Sequence, residues 1–207
     1  ITLIQVVSLK YINPLTTPNV AWEWAESVLE EKPEKRPQYI WKDIEFISPH
    51  LQKAVLAAED QRFLSHRGFD LKEMEQALKS LLYDRKLRGA STISMQAARS
   101  VFWLSSRSVV RKIVEAYYTI LIELIWDKPR ILEVYLNTVD WGTGVTGAEA
   151  AARKYFSISA QDLNAQQAAL MAAILPSPHK WSARQPTAYI KKRQTRIMAV
   201  MKSMPLL

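Results

Sequence analysis

Residues 48–68 read SPHLQKAVLAAEDQRFLSHRG. Ser48 before Pro49 has the form of a helix cap followed by proline at the first helical position, where its missing N–H is no loss. Leu51, Val55 and Ala58 recur at helical spacing, so the segment reads as a helix heading into a core. It ends on two adjacent carboxylates, Glu59 and Asp60, with Phe63, His66 and Gly68 close behind. Carboxylates at a helix C-terminus oppose the macrodipole, which makes the placement mildly costly and invites a functional explanation. The bland account is an acidic helix end, partly solvated and tied to Arg62, with His66 as a helix-terminal hydrogen bonder and Gly68 as a turn.

The same periodicity runs outward in both directions. Upstream, NVAWEWAESVLEE (19–31) reads as a short helix and KPEKRPQ (32–38) as a charged loop. Downstream, Asp70 caps a helix over 71–86 with Leu71, Met74, Leu78 and Leu81 on one face. Ser91 or Thr92 caps the next helix, and Ser108 opens the longest apolar one, over 109–126. Pro129 opens another, and 142–156 is a glycine-punctuated turn entering a helix. Segments 159–175 and 187–204 read as the last two helices. The total is about nine, with no confident strand. Only five glycines are present and β-branched runs of strand length are scarce, so the class is all-α.

With 207 residues, the chain can form one sizeable core or two lobes around a cleft. Its formal charge of +8 suits nucleic acid, an anionic membrane surface or a phosphate-bearing substrate, and alone decides nothing. Absence of cysteine excludes disulfides, thiolate metal sites and cysteine nucleophiles. His50, His66 and His179 lack metal-ligand spacing. The opening ITLIQVVSL is apolar but far short of the roughly 20 residues that cross a bilayer. It reads as the last turns of a transmembrane anchor or as an apolar N-terminal helix, the anchor being favoured.

Glu115 raises a second question. It lies in a helix that is apolar almost all round, with Arg111 one turn before it and Arg107 one turn before that. An i,i+4 ion pair is the plain reading, worth about 0.3–0.5 kcal/mol at a surface. The better helical order, however, is acid before base, and here the base comes first. Stability is a weak motive for RSVVRKIVE.

Taken together, these stretches resemble the motifs of the peptidoglycan glycosyltransferases of glycosyltransferase family 51. The pattern ED-x-x-F-x-x-H-x-G is met by Glu59, Asp60, Phe63, His66 and Gly68. G-x-S-T-I-x-x-Q is met by Gly89, Ser91, Thr92, Ile93 and Gln96, and R-K-x-x-E by Arg111, Lys112 and Glu115. The pattern K-x-x-I-L-E-x-Y-L-N is met by Lys128, Ile131, Leu132, Glu133, Tyr135, Leu136 and Asn137. A glycine-rich pattern closes with Tyr155 and Phe156. The motifs cover residues 59–156 in order, and the flanks look like the monofunctional members, which carry one N-terminal membrane anchor. Met95 stands where the family usually has glutamine, and Arg99-Ser100 where lysine-asparagine is common.

The resemblance implies a bilobal, lysozyme-like helical domain with a central groove over residues 41–207, and a membrane-proximal segment over 1–40. It implies processive polymerisation of lipid II, with the 4-hydroxyl of one sugar attacking the anomeric carbon of another and the α-linkage inverting to β. Glu59 is the expected general base and Glu115 the second catalytic carboxylate. Asp60, Phe63, His66, Ser91, Thr92, Gln96, Arg99, Arg107, Arg111 and Lys112 are the expected substrate-binding set. Gly68, Gly89, Lys128, Glu133, Tyr135 and Asn137 complete the motifs structurally. No cofactor is required, and a divalent cation (Mg or Mn) is admitted beside Glu115. Expected partners are lipid II, the growing glycan strand and a membrane, with room for cell-wall synthesis or division proteins and without nucleic acid. The expected location is the bacterial inner membrane, single-pass, with the catalytic domain on the periplasmic side. Two rivals stay open. A lysozyme-like muramidase or lytic transglycosylase would need no cation cluster for pyrophosphate. A basic helical module binding anionic lipid or nucleic acid would need neither Glu59 nor Glu115.

Overall fold

A computed structural model describes residues 2–33, 36–83, 85, 89–103 and 109–207. Among these residues the chain forms ten α-helices and one small sheet. In chain order the helices are α1 (Thr2–Tyr11), α2 (Pro18–Leu29), α3 (Pro49–Glu59), α4 (Leu71–Tyr83) and α5 (Ile93–Phe102). They continue with α6 (Val109–Ile125), α7 (Lys128–Thr138), α8 (Ala148–Phe156), α9 (Ala165–Ile174) and α10 (Ala188–Met201).

The start signals act as their chemistry requires. Ser48 Oγ accepts from the His50 N–H, Thr92 Oγ1 from Met95 and Thr187 Oγ1 from Ile190, each satisfying an orphan donor of its first turn. Asp127 caps α7, so this helix begins at Lys128, one residue before Pro129. The segment 159–175 is not one helix. A 3₁₀ turn at Ala160–Asp162 ends at extended Leu163, and Asn164 then opens α9 with a reciprocal capping box to Gln167. Ser108 and the tail of the 71–86 helix at positions 84 and 86 lie outside the described residues.

The reading without strands needs correction. Gln38–Tyr39 (β1), Asp140–Gly142 (β2) and Val145–Thr146 (β3) form a sheet in the order β1-β3-β2, β1 parallel and β2 antiparallel to β3. Strands of two or three residues carry no periodicity to detect. The glycine-rich loop shapes β2 and β3: Gly142 and Gly147 have φ of +130° and +88°, and a Cβ on Gly147 would stand 2.6 Å from Asn137 O.

Two packing groups face each other. On one side α3, α9 and α10 pack mutually; on the other α5 packs against α6 and α7, with α1 laid on α6. Asn137 joins them to the N-terminal half: its side chain accepts from the Lys42 N–H (2.8 Å) and donates to the Lys42 carbonyl (2.7 Å), in the manner of a strand partner. Glu133 accepts from the Ile44 N–H at 2.9 Å and pairs with Arg130.

The N-terminal segment is helical and docked. Val6 is buried, Trp126 Nε1 donates to its carbonyl at 2.8 Å, and Arg130 donates to the carbonyls of Leu9 and Ile12. The outer face of α1 and α6 is nevertheless apolar, with Ile4 72%, Ile113 66% and Leu124 72% exposed. Among the described residues no helix is long and apolar enough to cross a membrane.

Candidate active site

Between the two packing groups lies a cleft of about 660 Å³. The C-terminus of α3 brings Glu59 and Asp60 to it, α10 brings Arg193, and the chain after α9 brings Pro176. The facing wall is Gly89, Ser91, Thr92, Gln96 and Arg99, at and within the first turns of α5. A second cavity of about 680 Å³ shares Gln96, Arg99 and Pro176 with the first, so the two are chambers of one groove. Trp22, Glu23, Glu26, Asp140 and His179 line the second chamber.

Glu59 is the last residue of α3, and its side chain is 15% exposed. Its contacts are long: Gln96 Nε2 donates to Oε2 at 3.3 Å, and Arg193 Nη2 stands 3.7 Å from Oε1. Burial pushes the Glu59 carboxyl above the usual carboxylate range, against the Gln96 hydrogen bond and the charges of Arg193 and Arg99. A lightly bonded carboxylate with a raised pKa is a stronger base than an ordinary one and is free to accept a proton.

Its neighbour Asp60 differs in kind. The Asp60 carboxylate is 3.0 Å from His66 Nε2 at both oxygens and accepts from the Ile93 N–H at 3.1 Å. Thr92 Oγ1 donates to the Gly68 carbonyl at 2.5 Å, and a Cβ on Gly68 would stand 2.7 Å from Thr119 Cγ2. Asp60, His66, Gly68 and Thr92 thus form one knot that fixes the loop after α3 against the start of α5. Phe63 is 1% exposed, with Lys128 Nζ 4.3 Å above its ring, and Lys128 pairs in turn with Glu123. Phe63 and His66 stand behind the cleft wall and do not line it.

The cation cluster is also built. Glu115 is 2% exposed; Oε2 accepts from Arg111 Nη1 at 2.9 Å and Oε1 from Lys112 Nζ at 2.5 Å. Lys112 Nζ also reaches Ser91 Oγ at 3.3 Å, which links the cluster to the cleft. Both Glu115 oxygens are occupied by cations, so a divalent ion there would have to displace one of them. Asp60, His66 and Asp70 bring potential ligand atoms within 4.8 Å of one another, but Arg62 already neutralises Asp70. Arg107 lies outside the described residues.

Sequence reasoning missed Arg193. The basic run KKRQTR was visible, but periodicity alone does not tell which of its cations turns into a groove formed by a distant helix. Met95 is 8% exposed and faces the core, away from the cleft lining.

Comparison with known proteins bears on this arrangement. The transglycosylase family model matches residues 25–202. A biosynthetic peptidoglycan transglycosylase of Shewanella oneidensis is 44% identical over 203 residues, covering 98% of this chain and 86% of the relative. Proteins of the same name from Chromohalobacter salexigens and Pseudomonas entomophila are 50% and 47% identical, covering 81% and 91% of this chain and 71% and 79% of their own lengths. With a matching family model over most of its length and relatives of this similarity, the chain belongs to the transglycosylase family.

Proposed function

We propose that the protein is a peptidoglycan glycosyltransferase that polymerises lipid II into β-1,4-linked glycan and releases undecaprenyl pyrophosphate. The observation that carries this reading is the pairing, across Ser91, of a desolvated carboxylate with a cation pair held by a buried acid. An alcohol is a poor nucleophile at neutral pH. Glu59 accepts its proton as the new bond to the anomeric carbon forms, a contribution of about 10²–10⁴-fold. The leaving pyrophosphate takes the electron pair of the broken bond and needs its growing charge stabilised, not protonated. Arg111 and Lys112 supply that charge, oriented by Glu115, and Arg99 adds a cation on the facing wall. Gln96 and Ser91 offer neutral hydrogen bonds to sugar oxygens, whereas the Thr92 hydroxyl is held by the Gly68 carbonyl and the Met95 N–H.

A hydrolase of lysozyme type would also use a carboxyl with a raised pKa, but it has no task for the Arg111–Glu115–Lys112 cluster. Incubating the protein with labelled lipid II in detergent and separating the products by size tests the reading. Linear polymer is the expected product. Release of muropeptides from sacculi, with no polymer from lipid II, would sink it.

The substrate is anchored in a bilayer, and the reading extends to the membrane. Residues 1–40 are the membrane-proximal segment, residues 41–207 carry the glycosyltransferase domain, and that domain works on the periplasmic side of the bacterial inner membrane. Support comes from the exposed apolar face of α1 and α6 beside basic residues. The protein should float with vesicles containing anionic lipid. Serine at Ile4, Ile113 and Leu124 together should reduce flotation without loss of helicity, and unchanged flotation would reject this face as the contact.

A further inference from the structure

The last helix carries a charge where its inner face calls for an apolar residue. Ile190, Ile197 and Met201 are the buried positions of α10, and Arg193 lies on the same helical stripe between the first two. Its neighbours Lys191, Lys192 and Arg196 are exposed, as basic residues on a solvated face should be. The Arg193 side chain is only 27% exposed, and it lines the cleft. Its Nε is buried with no acceptor among the described residues, which is costly. Its ion-pair partner there is Glu59, with Nη2 3.7 Å from Oε1. An apolar side chain would complete the stripe without an unpaired N–H, so stability gives no reason for arginine here.

The geometry at Glu59 supplies one. Its two oxygens meet different partners: Oε1 faces the Arg193 cation from α10, and Oε2 accepts from the neutral Gln96 amide of α5 at 3.3 Å. A carboxylate oxygen has two lone-pair directions, so Oε2 with one long bond has room for a further donor. The other charged or titratable groups that bear on this site are Asp60, Arg99 on α5 and Tyr135 on α7. Asp60 is engaged by His66 and by the Ile93 N–H. The remaining helix packed on α3, α9, carries no titratable side chain. Among the described residues Arg193 is the cation within 4.0 Å of Glu59. Of the charges that oppose burial at this carboxyl it acts most strongly.

We propose that Arg193 is a positioning residue for Glu59: its guanidinium holds Oε1 and leaves Oε2, on the Gln96 side, to receive the proton of the acceptor sugar. The inference rests on Glu59 serving as base in the proposed polymerisation. In that step the hydroxyl proton passes to Oε2, the sugar oxygen bonds to the anomeric carbon, and the electron pair of the breaking bond leaves with pyrophosphate. Glu59 then releases the proton to solvent. Arg193 keeps its own protons throughout. Its charge favours the ionised base in a site whose burial disfavours it, and its seat on a packed helix fixes the carboxylate from behind.

The test is Arg193→Met in the full chain, with Arg193→Lys beside it. Methionine keeps an unbranched stem and removes the charge. Lipid II polymerisation is measured across pH, together with binding of a phosphate-bearing lipid and the melting temperature. In Arg193→Met the acid limb of the pH profile should move up by about one pH unit. Turnover at a pH on that limb should fall about tenfold, and it should return close to wild type well above the limb. Lysine restores the charge at shorter reach, so its limb should lie below that of methionine; a limb no lower overturns the proposal. Lipid binding should not change. A loss equal at every pH, or weaker lipid binding, would make Arg193 a substrate-binding cation and overturn the proposal. Lower melting with a wild-type limb would make it purely structural and overturn it as well. Site-specific citrulline at position 193, nearly isosteric and neutral, covers the case in which the methionine variant fails to fold; an unmoved limb overturns the proposal. A wild-type protein that makes no polymer would instead overturn the glycosyltransferase reading. The coupling is then read without turnover, by carbon-13 NMR titration of the Glu59 carboxyl. Titration should occur at higher pH in Arg193→Met than in wild type, and equal titration overturns the proposal.

Discussion

Glu59→Gln is expected to lower lipid II polymerisation by at least about 10²-fold while making the protein more stable at neutral pH. The amide is nearly isosteric and keeps the contact with Gln96, but it cannot accept the hydroxyl proton. The stability effect has a sign fixed by the direction of the pKa shift. Burial raises the Glu59 carboxyl above its ordinary value of 4.5, so the fold favours the protonated form. The stability this group contributes is full below that ordinary value and is lost as pH rises through the raised one. Wherever the wild type is ionised it holds a carboxylate in a site that prefers a neutral group, and glutamine is neutral throughout. Thermal melting of the two proteins should therefore differ at pH 7 and converge as pH is lowered below the usual carboxylate range. Binding of a donor-site phosphoglycolipid should change little, because Arg111, Lys112 and Glu115 are untouched. Near-normal polymerisation by the variant would refute the assignment and move the base to Glu115.

Glu115→Gln should also abolish most activity, but with the opposite effect on stability. The carboxylate is almost wholly buried and both oxygens accept from cations. An amide offers one acceptor oxygen, and turns an N–H donor toward whichever cation it does not serve. Leaving a buried charge without its partner costs about 3–5 kcal/mol in well-buried pairs. Lys112 is 45% exposed at its side chain, and its share is discounted for screening by solvent. Arg111 is only 15% exposed and carries most of the effect. The expected signature is a lower melting temperature together with weaker binding of pyrophosphate-bearing lipids, read by thermal melting and by a lipid-binding titration. Intact binding with lost turnover would give Glu115 a direct chemical role and reject the cation-positioning account.

Much of the site is local in sequence, and that part was legible. Glu59 follows a helix announced by Ser48-Pro49, and Arg111, Lys112 and Glu115 share one helical face, so spacing alone brings them together. The helices were legible for the same reason, because caps and apolar stripes are local signals. What could not be read depends on long-range closure. The three strands are too short for a period, and β1 pairs with β3 across more than a hundred residues of chain. Arg193 meets Glu59 only through the packing of α10 on α3 and α9. The motif residues read as substrate contacts also divide in a way that spacing does not reveal. Gln96 and Arg99 line the groove, whereas Phe63 and His66 hold its wall from behind.

The wall that Gln96, Arg99 and Pro176 share between the two chambers has a kinetic consequence. A linear ligand long enough to lie across it is held at two places, and release of one end leaves that end at high effective concentration beside its site. Departure then requires both ends to let go within the same interval, whereas advance by one sugar unit requires only that each end slip in turn. The length of a polymer grown in such a groove is set by how often the chain is extended and advanced against how often both ends let go together.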